Sequence, residues 1–286
     1  MVFPTSFPKQ HQDCQPGLEY KMSPSPIYDS PLYNKQNDKL KDKVAIISGG
    51  DSGIGRAVSI AFAKSGCDIS IIYYNEDDDA MVTKKKVEDE GRKCLLIKGD
   101  IKESNFCKEA VDATLKEYKK INILINNSAV QYTQQNLTDI DDEQFDKTFK
   151  TNVYGAFYLT KAVLPHLQCG DSIINTTSVV AYHGHETLLD YSMTKGALTT
   201  FTRSLSMQLA TKGIRVNAVA PGPIWTPLIP SSFSEQEVAK FGSNNPMKRA
   251  GQPIECSGAY VFLASEEASF ITGQTIHING GEIING

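Results

Sequence analysis

The sequence predicts an α/β protein whose parallel sheet is doubly wound, with about seven strands, helices on both faces and an extended N-terminal arm. Three observations predict it. From residue 43 onward, short apolar runs alternate with segments of helix length. A glycine-rich stretch stands where the first predicted strand meets the first helix. Residues 1–40 show neither a strand nor a helix period and are rich in proline.

Strands and helices follow one another throughout the second part of the chain. Strands are predicted at residues 44–47, 69–74, 94–97, 121–125, 172–176, 214–219 and 275–278. Helices are predicted at residues 54–66, 78–91, 103–119, 141–167, 189–212 and 253–264. Apolar strands separated by helices form βαβ units, whose right-handed crossovers cover both faces of a parallel sheet. Because nothing interrupts the alternation, we expect a single domain over residues 41–286.

The first 40 residues are predicted to be an extended arm that cannot form a core of its own. They carry six of the 13 prolines: Pro4, Pro8, Pro16, Pro24, Pro26 and Pro31. Two interpretations are open, a disordered tail and an arm docked on its own subunit or on a neighbour. The second would use the apolar anchors Tyr20, Met22, Ile27, Tyr28, Leu32 and Tyr33.

The composition excludes several classes of function. The chain has 29 Lys+Arg against 33 Asp+Glu, a net charge of −4, and 40% hydrophobic residues, enough for a core. Without net basic charge it is not expected to bind nucleic acid or an acidic membrane surface. The uncharged run over residues 216–234 contains four prolines and is predicted to be a loop, not a membrane span.

The cysteines and the first residues indicate a cellular compartment. Six cysteines are spread along the chain without a CxxC pair, so neither a disulfide framework nor a zinc site is predicted. Residues 1–6 lack the basic and apolar regions of a secretory signal. We therefore expect a reduced, cytoplasmic protein.

The glycine-rich stretch over residues 48–55 is the first motif with chemistry. Gly49, Gly53 and Gly55 would let the backbone turn tightly and approach a pyrophosphate. The helix starting near Ile54 would then direct its free N–H groups and positive dipole end at that phosphate. A P-loop is disfavoured, because Arg56 and Ala57 follow where Lys and Ser/Thr would stand.

A second motif pairs Tyr191 with Lys195. Residues at i and i+4 share one helix face. A free tyrosine has a pKa of about 10 and is a poor base at neutral pH, and a nearby ammonium lowers that pKa. We therefore predict Tyr191 as a general acid/base activated by Lys195. Ser178, after the fifth strand, would hold a carbonyl oxygen beside the tyrosine, or would make an ordinary turn bond.

Together these motifs resemble the short-chain dehydrogenase/reductase family over essentially all of residues 40–286. The glycine loop and the arm are similar to its N-terminally extended bacterial branch, which is associated with general stress responses. Two positions depart from the family pattern. Ser48 replaces the usual threonine but has a hydroxyl that can make the same bond, and Ala129 replaces a glycine beside the cofactor.

The resemblance implies an NAD(P)-dependent oxidoreductase that interconverts an alcohol and a carbonyl on a small or medium organic substrate. Tyr191 would exchange the proton, Ser178 would orient the substrate oxygen, and Lys195 would lower the tyrosine pKa and bond the nicotinamide ribose. Asn152 would hold a water that relays protons from Lys195. A homotetramer is also implied. A non-catalytic dinucleotide-binding regulatory or scaffold protein is the alternative.

The resemblance also implies a set of cofactor contacts. They are Gly49, Asp51, Ser52, Gly53, Ile54 and Gly55 in the glycine loop, Tyr74 and Asn75 after the second strand, Asp100 and Ile101 after the third, Asn127 and Ala129 after the fourth, Tyr191 and Lys195, and Pro221, Gly222, Ile224 and Thr226 after the sixth.

Residues at the end of the second strand usually contact the ribose 2′ position, and they indicate which of the two nicotinamide cofactors is bound. Tyr73 stands where an aspartate would mark NAD, and no arginine or lysine is present there for a 2′-phosphate. Acidic residues occupy positions 76–79 and would repel a phosphate, although acids also suit the start of a helix. NAD is favoured, and NADP or use of both stays open.

Two further features have competing interpretations. His183, His185 and Glu186 could suggest a metal, but no further ligands accompany them, so we predict no metal and expect this loop at the substrate mouth. Trp225, in the long segment over residues 221–250, would belong either to a lid over the substrate or to the core.

Overall fold

The computed structural model describes residues 4–29 and 38–283. A single parallel sheet of seven strands forms its centre, in the order β3-β2-β1-β4-β5-β6-β7. The strands are β1 Val44–Ser48, β2 Asp68–Tyr73, β3 Cys94–Lys98, β4 Ile123–Asn126, β5 Ser172–Thr176, β6 Arg215–Pro221 and β7 Thr275–Ile278. Every predicted strand is present, with bounds displaced by no more than two residues. The strand order reverses between β1 and β4, which opens a crevice at the carboxyl ends of the strands.

Over the described residues, the structure contains the six predicted helices, one of them divided in two, and two short helices at residues 180–183 and 235–238 that were not predicted. They are α1 Gly53–Lys64, α2 Asp77–Asp89, α3 Ser104–Tyr118, α4 Asp142–Phe149, α5 Gly155–Val163, α6 Val180–His183, α7 Leu189–Leu209, α8 Glu235–Val238 and α9 Pro253–Ala264. The single helix predicted over 141–167 is wrong: a π-helical turn, Lys150–Tyr154, separates α4 from α5. A 3-10 turn that contains a proline, Leu164–His166, then follows α5 and ends the helical segment. In the part of the chain that the structure describes, no helix has the length and apolarity needed to cross a membrane.

Two apolar clusters cover the two faces of the sheet, because successive strand residues point to opposite faces. Ile47 of β1 packs in the cluster that contains Phe62 of α1 and Tyr260 of α9. Its neighbour Ile46 packs in the cluster that contains Leu159 of α5. The doubly wound fold class is therefore confirmed. All six cysteines are unpaired thiols.

A third cluster joins the described part of the arm, residues 4–29, to the body of the molecule. The Phe7 ring stacks on Trp225 with ring centroids 3.9 Å apart. The Trp225 indole Nε1 donates to the Pro24 carbonyl oxygen at 2.8 Å, and Trp225 is completely buried. Of the two interpretations left open for Trp225, a lid or the core, the structure shows a core residue. The described part of the arm docks on its own subunit.

The predicted apolar anchors of the arm differ in how deeply they are buried. Met22 is buried, whereas the Tyr20 side chain is 62% exposed and anchors nothing. Ile27 and Tyr28 are half-buried. Leu32 and Tyr33 lie outside the described residues. The division into an arm over 1–40 and a domain over 41–286 stays a prediction.

Candidate active site

A cavity of about 890 Å³ opens at the carboxyl ends of the strands. Most of the residues predicted from the sequence line it. These are Gly49, Asp51, Ser52, Gly53, Ile54, Tyr74, Asp100, Ile101, Asn127, Ala129, Ser178, Tyr191, Lys195, Pro221, Gly222, Ile224 and Thr226. Gly55, Asn75 and Asn152 are not among the lining residues.

The glycine loop between β1 and α1 has the shape that a pyrophosphate requires. Gly49 and Gly53 have φ angles of +61° and +51°, in the left-handed region that favours glycine. A Cβ on Gly55 would overlap the Gly49 carbonyl, so this residue lies under the loop rather than in the cavity. Within the described residues, the N–H groups of Ile54 and Gly55 donate to no protein acceptor. Free N–H groups at a helix N-terminus fit a dinucleotide phosphate.

Hydrogen bonds connect the loop to the segment after β4. Ser48 Oγ accepts from the main-chain N–H groups of Asn127 and Ser128, at 3.0 and 3.2 Å. The Asn127 side chain donates to the Gly49 carbonyl oxygen at 3.1 Å. The Ser48 hydroxyl thus makes a tethering bond of the kind expected from its threonine counterpart. Ala129 lies on the same segment and faces the cavity.

Ser178, Tyr191 and Lys195 meet on one wall of the cavity. Tyr191 and Lys195 lie one turn apart on α7, with Lys195 Nζ 5.4 Å from the centre of the Tyr191 ring. Ser178 follows β5 and lies close enough to Tyr191 to lower the pKa of its phenol. Lys195 Nζ donates to the Thr176 carbonyl oxygen at 2.8 Å. The three side chains named by their spacing are therefore brought together.

Burial sets the acidity of the pair. It raises the pKa of Tyr191 to about 12, although the neighbouring Ser178 hydroxyl acts in the opposite direction. It lowers the pKa of Lys195 to about 7. The expected lowering of the Tyr191 pKa is not found, because desolvation penalises the charged form of both groups. A lysine that is itself partly neutral near pH 7 does less to stabilise a phenolate.

Asn152 lies behind the cavity wall, in the π-helical turn between α4 and α5. Its side chain accepts from the Val130 N–H at 2.8 Å and donates to the Val130 carbonyl at 2.9 Å. It also donates to Thr194 Oγ1 on α7 at 3.1 Å. Asn152 thus joins the segment after β4 to the helix that carries Tyr191. The water relay expected at Asn152 stays a prediction.

The acidic run over residues 76–79 divides into groups with different surroundings. Glu76 lines the cavity and is 2% exposed, and its Oε1 has no hydrogen-bond partner in the described structure. Burial, followed by the nearby Glu76 carboxylate, raises the pKa of Asp51 to about 7. Asp77 instead pairs with Lys98 at 2.6 Å, and Asp79 pairs with Arg56 at 2.9 Å. Of residues 76–79, only Glu76 lines the cavity.

Several residues that line the cavity were not predicted from the sequence. The arm contributes Gln15, Pro16 and Gly17, and an apolar wall comes from Val180, Leu188, Ile229, Phe233 and Phe241. The apolar residues of the arm left docking open as one of two interpretations, but no signal in the sequence located the contact.

The histidine loop lines the cavity, as expected for the substrate mouth. His183 Nε2 lies 3.0 Å from the Glu282 carboxylate. No cluster of three or more candidate metal ligands occurs over residues 4–29 and 38–283.

The cavity thus combines a glycine loop whose free N–H groups fit a phosphate with a buried Ser, Tyr and Lys, an arrangement that suits a dinucleotide-dependent oxidoreductase. A family model described as Enoyl-(Acyl carrier protein) reductase matches residues 49–282. The chain belongs to the short-chain dehydrogenase/reductase family and is an oxidoreductase of that family.

Curated relatives match nearly the whole chain. General stress protein 39 of Bacillus subtilis is 56% identical over 99% of this chain and 98% of its own. Glucose and ribitol dehydrogenase of Daucus carota is 49% identical, covering 98% of both chains. The chloroplastic NADPH-dependent aldehyde reductase 1 of Arabidopsis thaliana is 48% identical over 97% of this chain and 98% of its own.

Solved structures share the fold and hold nicotinamide cofactors. A short-chain dehydrogenase from Burkholderia cenocepacia in complex with NADP has a TM-score of 0.80 and 27% identity, covering 85% of this chain and 98% of its own. A 3-ketoacyl-(acyl-carrier-protein) reductase from Brucella melitensis complexed with NADH has a TM-score of 0.79 and 31% identity, covering 86% and 100%. These neighbours support a nicotinamide dinucleotide as the cofactor.

Proposed function

We propose that the protein interconverts an alcohol and a carbonyl on a small or medium organic substrate, with Tyr191 as the general acid/base. The observation that carries the proposal is the burial of Ser178, Tyr191 and Lys195 together beside the glycine loop. A bound nicotinamide supplies or accepts the hydride. Gly49, Ile54, Asn127 and the residues that follow β6 would hold it.

Side chains of the protein transfer the proton and stabilise the charge that the transfer leaves behind. In the direction of reduction, the Tyr191 hydroxyl donates its proton to the substrate carbonyl oxygen. The Ser178 hydroxyl donates a hydrogen bond to the same oxygen and orients it. Protonated Lys195 stabilises the resulting phenolate, whose charge would otherwise be costly in a buried site. In oxidation the proton takes the reverse path.

The substrate end of the cavity has an apolar wall and polar groups at its mouth. Val180, Leu188 and Phe233 form part of the wall, and His183 and His185 stand at the mouth. This arrangement suits an organic carbonyl with polar substituents. Relatives named for glucose and ribitol and for aldehydes support the same substrate class.

Replacement of Tyr191 tests the reaction. Tyr191→Phe should lower turnover of an aldehyde or sugar alcohol by about 10³-fold, because the general acid is lost, and should leave NADH affinity within about twofold. The matched control is Tyr182→Phe, since the Tyr182 hydroxyl is buried without a partner in the described structure. Equal turnover in Tyr191→Phe would remove this residue from the mechanism. Cofactor binding without turnover of any carbonyl by the unmodified protein would favour the scaffold alternative.

We also propose a preference for NAD(H) over NADP(H). The unpartnered Glu76 Oε1 suits a ribose hydroxyl donor, and the carboxylates of Asp51 and Glu76 disfavour the added charge of a 2′-phosphate. NADH should bind at least about tenfold tighter than NADPH in titrations read by nicotinamide fluorescence. Glu76→Gln should reduce that ratio, whereas Asp78→Asn, exposed in the same turn, should not. Tighter binding of NADPH by the unmodified protein would refute the preference.

A homotetramer is proposed on family grounds. Aromatic side chains stand exposed along the α5 region, including Tyr154 at 45% and Phe157 at 47%. Exposed aromatic residues of this kind suit a subunit interface. Sedimentation equilibrium decides between a monomer and a tetramer.

A further inference from the structure

The arm inserts a carboxylate into the base of the cofactor loop. Glu19 is 2% exposed, and its Oε2 accepts from the main-chain N–H of Gly53, the first residue of α1, at 2.6 Å. Its other oxygen pairs with the Arg56 guanidinium. Glu19 and Gly53 are 34 positions apart in the chain, so this contact exists only when the arm is docked.

Arg56 extends the contact from the arm to the glycine loop and to α2. Its Nε donates to the Asp51 carbonyl oxygen at 3.0 Å and to Thr83 Oγ1 at 2.8 Å. Thr83 donates to the same Asp51 oxygen at 2.6 Å, and Asp79 accepts from Arg56 at 2.9 Å. The backbone of the loop is therefore held on both sides of Ser52, directly before the free N–H groups of Ile54 and Gly55.

The opposite side of Gly53 is also occupied. A Cβ on Gly53 would lie 3.1 Å from Thr226 Cγ2, a residue predicted to contact the cofactor. One residue further on, a Cβ on Gly17 of the arm would overlap the Pro227 carbonyl. Gly53 is thus confined between Glu19 and the segment after β6.

A contribution to folding stability does not by itself account for the buried Glu19 carboxylate beside Gly53 and Arg56. Burial raises the pKa of Glu19 to about 7 even though Arg56 opposes the shift, which shows that desolvation outweighs the attraction of its partner. Buried ion pairs often contribute less stability than apolar residues of the same size, but they hold groups in one arrangement.

We propose that Glu19 is a positioning residue of the cofactor site, which fixes Gly53 and Arg56 so that the N–H groups of Ile54 and Gly55 face the dinucleotide phosphates. The inference rests on the dinucleotide cleft assigned above. It makes the N-terminal arm part of the cofactor site, although the arm is outside the segment matched by the family model.

The test measures binding with NADH and with ADP-ribose, which carries the pyrophosphate without the nicotinamide. Glu19→Ala should weaken both by about tenfold, and Glu19→Gln, which keeps the size and one acceptor, by about threefold. Asp13→Asn is the matched control, because Asp13 is an exposed carboxylate on the same arm, and it should bind like the unmodified protein. The KM of the carbonyl substrate should change by less than about twofold.

The sign of the effect separates positioning from simple charge repulsion. If Glu19 acted only as a negative charge near the phosphates, its removal would tighten binding, and that result would overturn the proposal. A variant with a lowered melting temperature and unchanged NADH affinity would show a structural role alone and would also overturn it. If Glu19→Ala does not fold, Glu19→Gln decides. Failure of the unmodified protein to bind any nicotinamide cofactor would instead refute the proposed function.

Discussion

Lys195 lines the cleft and Arg56 lies behind its glycine loop, and the surroundings of these two buried cations differ. Arg56 lies between two carboxylates, Glu19 and Asp79, at the phosphate end. Lys195, at the catalytic end, donates to a neutral carbonyl and pairs with no carboxylate in the described chain. Its pKa falls to about 7 as a result of burial. Arg56, between its two carboxylates, holds structure, whereas the unpaired Lys195 can change its protonation state near neutral pH.

The largest expected difference between the two cations is in turnover. Lys195→Met should lower kcat by 10²-fold or more, because a phenolate at Tyr191 loses its stabilising charge. Arg56→Met should change kcat by less than about threefold, since Arg56 does not line the cavity. Steady-state kinetics at saturating cofactor measure both. A comparable loss of kcat in both variants would contradict the division of roles.

Stability should change in the opposite order. Arg56→Met leaves the Glu19 and Asp79 carboxylates buried without their cation, which costs about 3–5 kcal/mol. Lys195→Met at pH 7 removes a poorly solvated amine and should cost less than about 1 kcal/mol. Denaturant unfolding followed by circular dichroism gives both free energies. Loss of more stability in Lys195→Met than in Arg56→Met would reverse the comparison.

For each pH unit, the smallest effect is the pH dependence of stability. The pKa of Lys195 is about 7 in the folded protein and ordinarily 10.5, so between these values the unfolded chain binds more protons. The contribution of Lys195 to the free energy of unfolding should therefore rise from pH 7 to 10.5, by at most about 1.4 kcal/mol per pH unit.

Comparison with Lys195→Met isolates this contribution, because the other titrating groups are shared. The difference in melting temperature between the two proteins should change by about 2–4 °C per pH unit over that range. A difference that stays constant from pH 7 to 10 would show that Lys195 keeps an ordinary pKa. Lys195 would then be fully protonated at the pH of the reaction, as expected for a lysine that lowers the pKa of Tyr191.

Local patterns in the sequence were enough for the fold and for one wall of the site. Apolar runs predicted all seven strands to within two residues, because a parallel sheet buried on both faces requires continuous apolar strands. Helical spacing placed Tyr191 beside Lys195, and the glycine spacing predicted the loop. These features depend on residues that are close together in the chain.

Contacts between distant segments were decided only in the tertiary structure. The pairing of Glu19 with Arg56 and the stacking of Phe7 on Trp225 join parts of the chain with no shared period, so no local pattern indicates them. The acidity of Tyr191 likewise depends on how much water the assembled site excludes, and burial raises its pKa where helical spacing alone predicted a decrease. Spacing along the chain determines which groups can be neighbours, whereas desolvation and long-range packing exist only once the whole chain is folded.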